Sequence, residues 1–471
     1  MFLKNKLELT PAQVTMISFV ALSFLGALFL MAPFSNTNGQ WLNFVDAFFM
    51  SVSATCVTGL AVVHLGHDFT LCGQLVILFL MQIGGLSYMT ITTILVYMAG
   101  KKLSISDSKI FDMSNNSEAK FDFKDFVIKI ALLTFLIEGV GVLCLSFDSI
   151  QIVMANYANY SDLQAFAVGI FQAVFHSVSA FCNAGLSLFE SSLETHSANY
   201  WLLFMFSILP IIGGLGYTVL TEISAWFDTT AKRKTLSLHT KVSLLVTFSL
   251  LIIGVLVQFA LIYIQGLTQT VHNSVAEPSL VNPHVHNLWT AFFQSVAARS
   301  SGFNSIPLTE LGDSSLVLLI VWMFIGACPG GTGGGIKVTT LILVFSIMYA
   351  GLKNTKDVKI LNRSVGALYQ QRALIVFIST IVLIMFFTFL NVIFENQQNI
   401  RFIDHLFEVT SAFTTVGLST GITSQLSDPS LIVLCISMII GRPGPLLFLM
   451  AIFTEETTRE IRYAEENILI G

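Results

Sequence analysis

One short pattern in this chain could do chemistry, and it occurs four times: an Ala, four intervening residues, a Gly, then Leu or Phe. It reads SVSATCVTGL from Ser51 to Leu60, SVSAFCNAGL from Ser177 to Leu186, SVAARSSGF from Ser295 to Phe303 and TSAFTTVGL from Thr410 to Leu418. The glycines, Gly59, Gly185, Gly302 and Gly417, lie 126, 117 and 115 residues apart, a near-constant period that marks internal repetition. The chemistry it suggests is the holding of a dehydrated alkali cation. Such an ion needs oxygen ligands in place of its water shell, and rings of backbone carbonyls supply them. Pointing carbonyls at an axis demands backbone angles that side chains resist and Gly permits. One Gly per repeat is what a four-sided ring needs, with the carbonyls around Thr58-Gly59, Ala184-Gly185, Ser301-Gly302 and Val416-Gly417 as its wall.

Other chemistries find little support. The run Gly326-Ala-Cys-Pro-Gly-Gly-Thr-Gly-Gly-Gly-Ile-Lys337 fails as a phosphate loop, because Ile precedes the Lys and no Ser or Thr follows it directly. Six cysteines sit in or beside apolar segments without a C-x-x-C pair and read as small buried hydrophobes. The pairs His64/His67 and His284/His286 read as solvated loop residues with no third ligand. No nucleophile–base pair or carboxylate dyad stands out, so an enzyme has no positive support, and neither nucleic acid nor an organic cofactor is expected.

The elements that must position the pattern are membrane spans. The 471 residues are 54% hydrophobic and only 11% charged, which excludes a soluble domain of this length. Each copy has an apolar run before it, over Val14–Met31, Val127–Leu145, Leu244–Ile264 and Leu374–Ile393. A second run follows, over Leu75–Met98, Trp201–Leu220, Leu316–Tyr349 and Leu431–Phe453. The first of these runs follows Lys4 and Lys6 as a secretory leader would, but it is too long for a leader core and lacks a good cleavage site. Between the paired runs lies a helix-like stretch of some dozen residues, too short to cross a bilayer. Asp46 and Asp404 are candidate N-caps for the first and fourth of these.

Charge fixes the topology. All but four of the lysines and arginines fall at Lys4/Lys6, Lys101–Lys129, Lys232–Lys241, Lys353–Arg372 and Arg459/Arg462. These segments share one side if each repeat crosses twice, and the positive-inside rule makes that side the cytoplasm. Both termini are then inside, in a plasma membrane. The intervening loops are acidic, with Arg401 their one basic residue. The short stretches must dip in from outside and return, which is tolerated only where such backbone is buried or lines water. The expected fold is therefore all-α integral membrane: eight spanning helices and four re-entrant pore loops with pseudo-fourfold symmetry around one pore. The repeats divide the chain at 1–100, 101–228, 229–352 and 353–471. Interfacial helices on a twelve-span carrier are the alternative, but they leave the repeated Gly unexplained.

With single-Gly loops in four such repeats, the chain resembles the Trk/Ktr/HKT superfamily of potassium transporters over nearly its whole length. The first span begins near residue 14 without an additional N-terminal pair, and the ending Asn467-Ile-Leu-Ile-Gly471 is similar to the KtrB type. The resemblance implies potassium uptake, with Gly in all four loops going with potassium and Ser in the first going with sodium. It implies potassium as the bound ion, with sodium as an alternative, a homodimer in the lipid bilayer, and a cytosolic nucleotide-binding regulatory subunit of KtrA type. Whether entry is channel-like or a symport stays open.

Two further features lie inside second spans. Pro329 and its glycines must break the third repeat's second span, and such breaks mark ion pathways or gates. The resemblance puts a flexible intramembrane gate there, comprising Gly330, Gly331, Thr332, Gly333, Gly334 and Gly335. Arg442, in Gly441-Arg-Pro-Gly-Pro445, matches the family's gate arginine, as an electrostatic barrier or as a pin on carbonyls. Arg299 is expected to point behind the loops to a carboxylate, Glu138 or Glu408, and Lys337 to snorkel towards the cytoplasm.

Overall fold

Four times along the chain a long apolar helix is followed by a shorter one that stops four or five residues before a repeat glycine. A computed structural model describes residues 10–86, 123–156, 161–227, 236–272, 283–299, 301–355, 357–361, 363–395 and 400–452. The long helices are α1 (Pro11–Met31), α4 (Phe123–Asn156), α8 (Leu238–His272) and α12 (Ala367–Phe394). The shorter ones are α2 (Phe44–Thr55), α5 (Asp162–Phe181), α9 (Pro283–Ala297) and α13 (Phe402–Phe413). After each loop come α3 (Leu71–Gly85), α6 (Tyr200–Gly214) with α7 (Tyr217–Phe227), α10 (Asp313–Phe324) with α11 (Val338–Leu352), and α14 (Asp428–Gly441) with α15 (Pro445–Ile452).

Local chemistry sets these boundaries. Thr10 caps α1 in a capping box with Gln13, and Pro11 sits where its missing N–H costs nothing. Ser161 and Gln164 form the same box on α5. The expected caps Asp46 and Asp404 are instead the third residues of their helices, inside the first turn, because α2 and α13 start earlier, behind Asn43 and Arg401. There their carboxylates face the positive helix end, and Asp404 also pairs with Arg401 at 3.0 Å.

Among the described residues, five helices are long and apolar enough to cross a membrane, or up to 7 if each bent pair is one span. α5 is one of the five: its 20 residues overturn the expectation of a uniformly short middle stretch. The bent pairs are α6–α7, turned by 94°, and α14–α15, turned by 93°. Thus the runs Trp201–Leu220 and Leu431–Phe453 are broken as well as Leu316–Tyr349. The long helices carry outward Phe135, Leu136, Leu143 and Phe389, all exposed, as a lipid-facing surface does. The protein is a mostly helical membrane protein.

The run Leu75–Met98 is described only to Leu86, and Lys4, Lys6, most of Lys101–Lys129, Lys232–Lys234 and the tail from 453 lie outside the described residues. So do the side chains of His284 and His286. On the other histidine pair, exposed His67 bonds Asp68 at 3.0 Å, which raises its pKa above the usual imidazole range.

Candidate functional site

The backbone leaves each short helix by an abrupt change of hand. Val57, Asn183 and Thr415, two residues before their glycines, have φ of 54°, 61° and 49°. For β-branched Val57 and Thr415 this is a strained conformation that surrounding structure must enforce. The four glycines themselves have φ of 104°, 66°, 72° and 92°, the left-handed region where a side chain is penalised. Serine hydroxyls six residues upstream hold two of the loops: Gly59 N–H donates to Ser53 Oγ at 3.1 Å and Gly417 N–H to Ser411 Oγ at 3.0 Å.

The four loops meet in cyclic order. A Cβ added to Gly59 would lie 2.6 Å from the carbonyl oxygen of Ala184, and one on Gly185 would lie 2.9 Å from that of Ser301. On Gly302 it would strike the carbonyl oxygen of Val416, and on Gly417 that of Thr58. Each glycine thus abuts the residue before the next glycine, and the fourth repeat returns to the first. Thr58, Gly59, Ala184, Gly185, Ser301, Gly302, Val416 and Gly417 all belong to this closed ring. Thr58, Ala184, Ser301 and Val416 are fully buried, or nearly so. The hydroxyls of Thr58, Ser301 and Thr415 are buried without a hydrogen-bond partner among the described residues.

Against the ends of α5 and α13 and the loops that follow them lies the glycine-rich segment between α10 and α11. It is tied to the break of the second repeat, with Cys328 N–H donating to Gly214 O at 2.9 Å, Thr332 N–H to Gly213 O at 3.2 Å and Tyr217 N–H to Gly330 O at 3.2 Å. The Thr332 hydroxyl accepts from Asn183 Nδ2 at 2.6 Å and donates to Phe181 O at 3.1 Å. Gly334 lies against Thr414 and Thr415 of the fourth loop. Gly330 and Gly335 take positive φ, whereas Gly331, Gly333 and Gly334 do not.

Arg442 spans the same level, its Nη1 donating to Thr332 O at 2.5 Å and its Nη2 to Gly84 O at 2.6 Å. Lys337 Nζ donates to Gly333 O at 2.6 Å, so it clamps the segment rather than snorkelling away. Arg299 does point behind the ring, but not to a carboxylate: it donates to Thr247 O at 3.2 Å and Gly326 O at 3.3 Å. Glu138 and Glu408 are engaged by other partners, Gln82 and Ser419 among them.

Sequence reasoning missed a second glycine set. Gly84, Gly213 and Gly441 pack directly on the carbonyls of Thr55, Phe181 and Phe413, near or at the C-terminal ends of the short helices. The signal was present in the matching strings Ile83-Gly-Gly-Leu86 and Ile212-Gly-Gly-Leu215. Among the described residues, no cluster of three His, Cys, Asp or Glu side chains could hold a metal.

The sequence model of the TrkH family, described as a cation transport protein, matches residues 8–456. The chain is 34% identical to the Ktr system potassium uptake protein B of Vibrio alginolyticus, over 99% of this chain and 96% of that protein. It is 34% identical to its namesake in Bacillus subtilis (98% and 97% covered) and 32% identical to the potassium/sodium uptake protein NtpJ of Enterococcus hirae (98% of each). The crystal structure of the potassium transporter TrkH from Vibrio parahaemolyticus superposes with a TM-score of 0.71 at 17% identity, covering 96% of this chain and 86% of that one.

Proposed function

Since the chain belongs to the TrkH family of cation transport proteins, multi-pass membrane transporters rather than enzymes, we propose that it carries potassium into the cell through the ring of four glycine loops. The observation that carries this reading is the closed cyclic contact of the four glycines with the carbonyls of Thr58, Ala184, Ser301 and Val416. Potassium is the cargo, and these carbonyls replace its water shell. The short helices end at the ring, so their partly negative C-terminal ends favour a cation there. The unpartnered hydroxyls of Thr58, Ser301 and Thr415 suit a wet, polar wall. Relatives at 34% identity that are named potassium uptake proteins add weight.

The finer architecture in this proposal is eight spans and four re-entrant loops about one axis, with both termini cytoplasmic. The Gly330–Gly335 segment and Arg442 form the gate, directly under the ring. Relatives named as parts of a Ktr system support a further component of such a system. In this proposal it is a cytosolic nucleotide-binding regulatory subunit on the basic inner face, and the membrane subunit is a homodimer, both as the family resemblance implies. The relative named for potassium and sodium keeps a second cargo in view, sodium or a weakly selective leak. Rubidium-86 uptake into proteoliposomes, competed by potassium and by sodium, decides between them. Equal competition by the two ions overturns the potassium reading, and absence of any flux from folded protein overturns transport by this subunit alone.

A further inference from the structure

Two places beyond its glycine each loop carries Ala61, Ser187, Asn304 or Ser419. On the short helix of the same repeat, nine residues before the glycine, stand Met50, His176, Phe293 and Glu408, with Gln294 beside Phe293. In three repeats these positions are joined. Glu408, fully buried, accepts from Ser419 Oγ at 2.5 Å, from Thr420 N–H at 2.9 Å and from Thr423 Oγ1 at 3.0 Å. His176 Nε2 accepts from Leu188 N–H at 3.1 Å and lies 3.2 Å from Ser187 Oγ. Gln294 Nε2 donates to Asn304 Oδ1 at 3.1 Å. In the first repeat Met50 and Ala61 have no polar group with which to do the same.

The three repeats use different residue types for one connection, which fastens the segment after the glycine to the short helix before it. Where a carbonyl ring selects by the fit of its cavity to the ion, selectivity depends on how firmly its oxygens hold their spacing. Glu408 makes the most bonds, and one of them fixes a main-chain amide three residues past Gly417. We infer that Glu408, His176 and Gln294 are positioning residues that hold the loops at the spacing on which ion preference depends, with Glu408 the strongest. The inference rests on the glycine ring being the selectivity filter.

The test compares variants of the full chain in proteoliposomes by the ratio of potassium to sodium competition against rubidium-86. Glu408→Ala should lower that ratio by about tenfold, as loss of a buried multi-bond anchor does. Glu408→Gln keeps the shape and an acceptor for Ser419 and Thr420, and should restore most of the ratio. His405→Ala is the control: His405 lies one turn away on the same helix, buried, but bonds Asn391 of α12 at 2.8 Å rather than a residue of the glycine loops. It should lower the unfolding temperature and leave the ratio alone. If Glu408→Ala does not fold, the double variant Ser419→Ala, Thr423→Val removes two donors from the other end and should shift the ratio the same way. A wild-type ratio in folded Glu408→Ala or in the double variant overturns the inference, and so does an equal loss in His405→Ala. If Gly59→Ser and Gly417→Ser also leave the ratio unchanged, it is the filter reading that has failed.

Discussion

Arg442 and Thr332, 110 residues apart in sequence, are joined by a guanidinium-to-carbonyl hydrogen bond of 2.5 Å. The other arm of the same guanidinium holds Gly84 O, so one side chain latches the glycine-rich segment of the third repeat to the second span of the first. A forked donor does this with a geometry that a point charge cannot copy.

That fork gives a test of latch against charge. Arg442→Gln should raise rubidium flux from the isolated subunit by about tenfold, as a buried charge and a latch are both lost. Arg442→Lys keeps the charge but cannot span both carbonyls, and it too should raise flux. A Lys variant indistinguishable from wild type would assign the effect to charge alone.

Shortening the Gly330–Gly335 segment should act in the same direction without altering ion preference. The segment touches the loops through Thr332, Gly334 and their partners but contributes no member of the glycine ring. Flux and the potassium-to-sodium ratio would be measured together. A gain in flux accompanied by loss of preference means that the segment is part of the filter rather than a separable gate.

Gly59→Ser should weaken potassium preference several-fold. Gly59 has φ of 104°, and a Cβ there meets the Ala184 carbonyl and the α-carbons of Gly185 and Gly417. The side chain must therefore deform two neighbouring repeats at once. Unchanged sodium competition in a folded variant refutes the assignment.

Gly213→Ala should destabilise by about 1–3 kcal/mol, the usual cost of forcing a methyl into a packed interior. Its Cβ would strike the Phe181 carbonyl, whereas Gly139→Ala has open space around it and serves as the matched control. Thermal unfolding in detergent reads the difference, and equal midpoints would show that the close approach is not needed.

Sidedness can be read with single cysteines in a cysteine-free background. Ala198→Cys, in an exposed loop before α6, should react with impermeant reagents from outside, and Asp357→Cys, beyond α11, only after the membrane is opened. The reverse pattern would invert the charge-based orientation.

The ring itself was legible because its requirement is local: a backbone conformation that only Gly adopts freely leaves Gly in each copy of a repeat. The breaks in the second and fourth repeats were not read, although Gly213-Gly-Leu-Gly216 and Gly441-Arg-Pro-Gly444 encode them. An apolar run scores as a span by composition alone, and a bend of more than 90° leaves composition unchanged. Partners of buried charges were harder still. Arg299 was expected to seek a carboxylate, yet the carbonyl of Gly326, freed by the non-helical stretch there, and that of Thr247 on α8 satisfy it, and the two come together only once the chain has folded. The connections made by Glu408, His176 and Gln294 are invisible to repeat comparison because the three residues differ in type.

The contact of Gly417 with Thr58 closes the circle between the last repeat and the first, and Gln13 of α1 likewise donates to Ala451 of α15 at 3.0 Å. Biogenesis inherits a fixed order from this. The ribosome delivers the fourth side of the ring after the other three are already in the bilayer, so a nascent chain presents an incomplete, three-walled enclosure until its closing segment inserts. Until then the first and third repeats each lack a neighbour, and a chain cut before Val416 leaves both Gly302 and Thr58 without the contacts that close the ring.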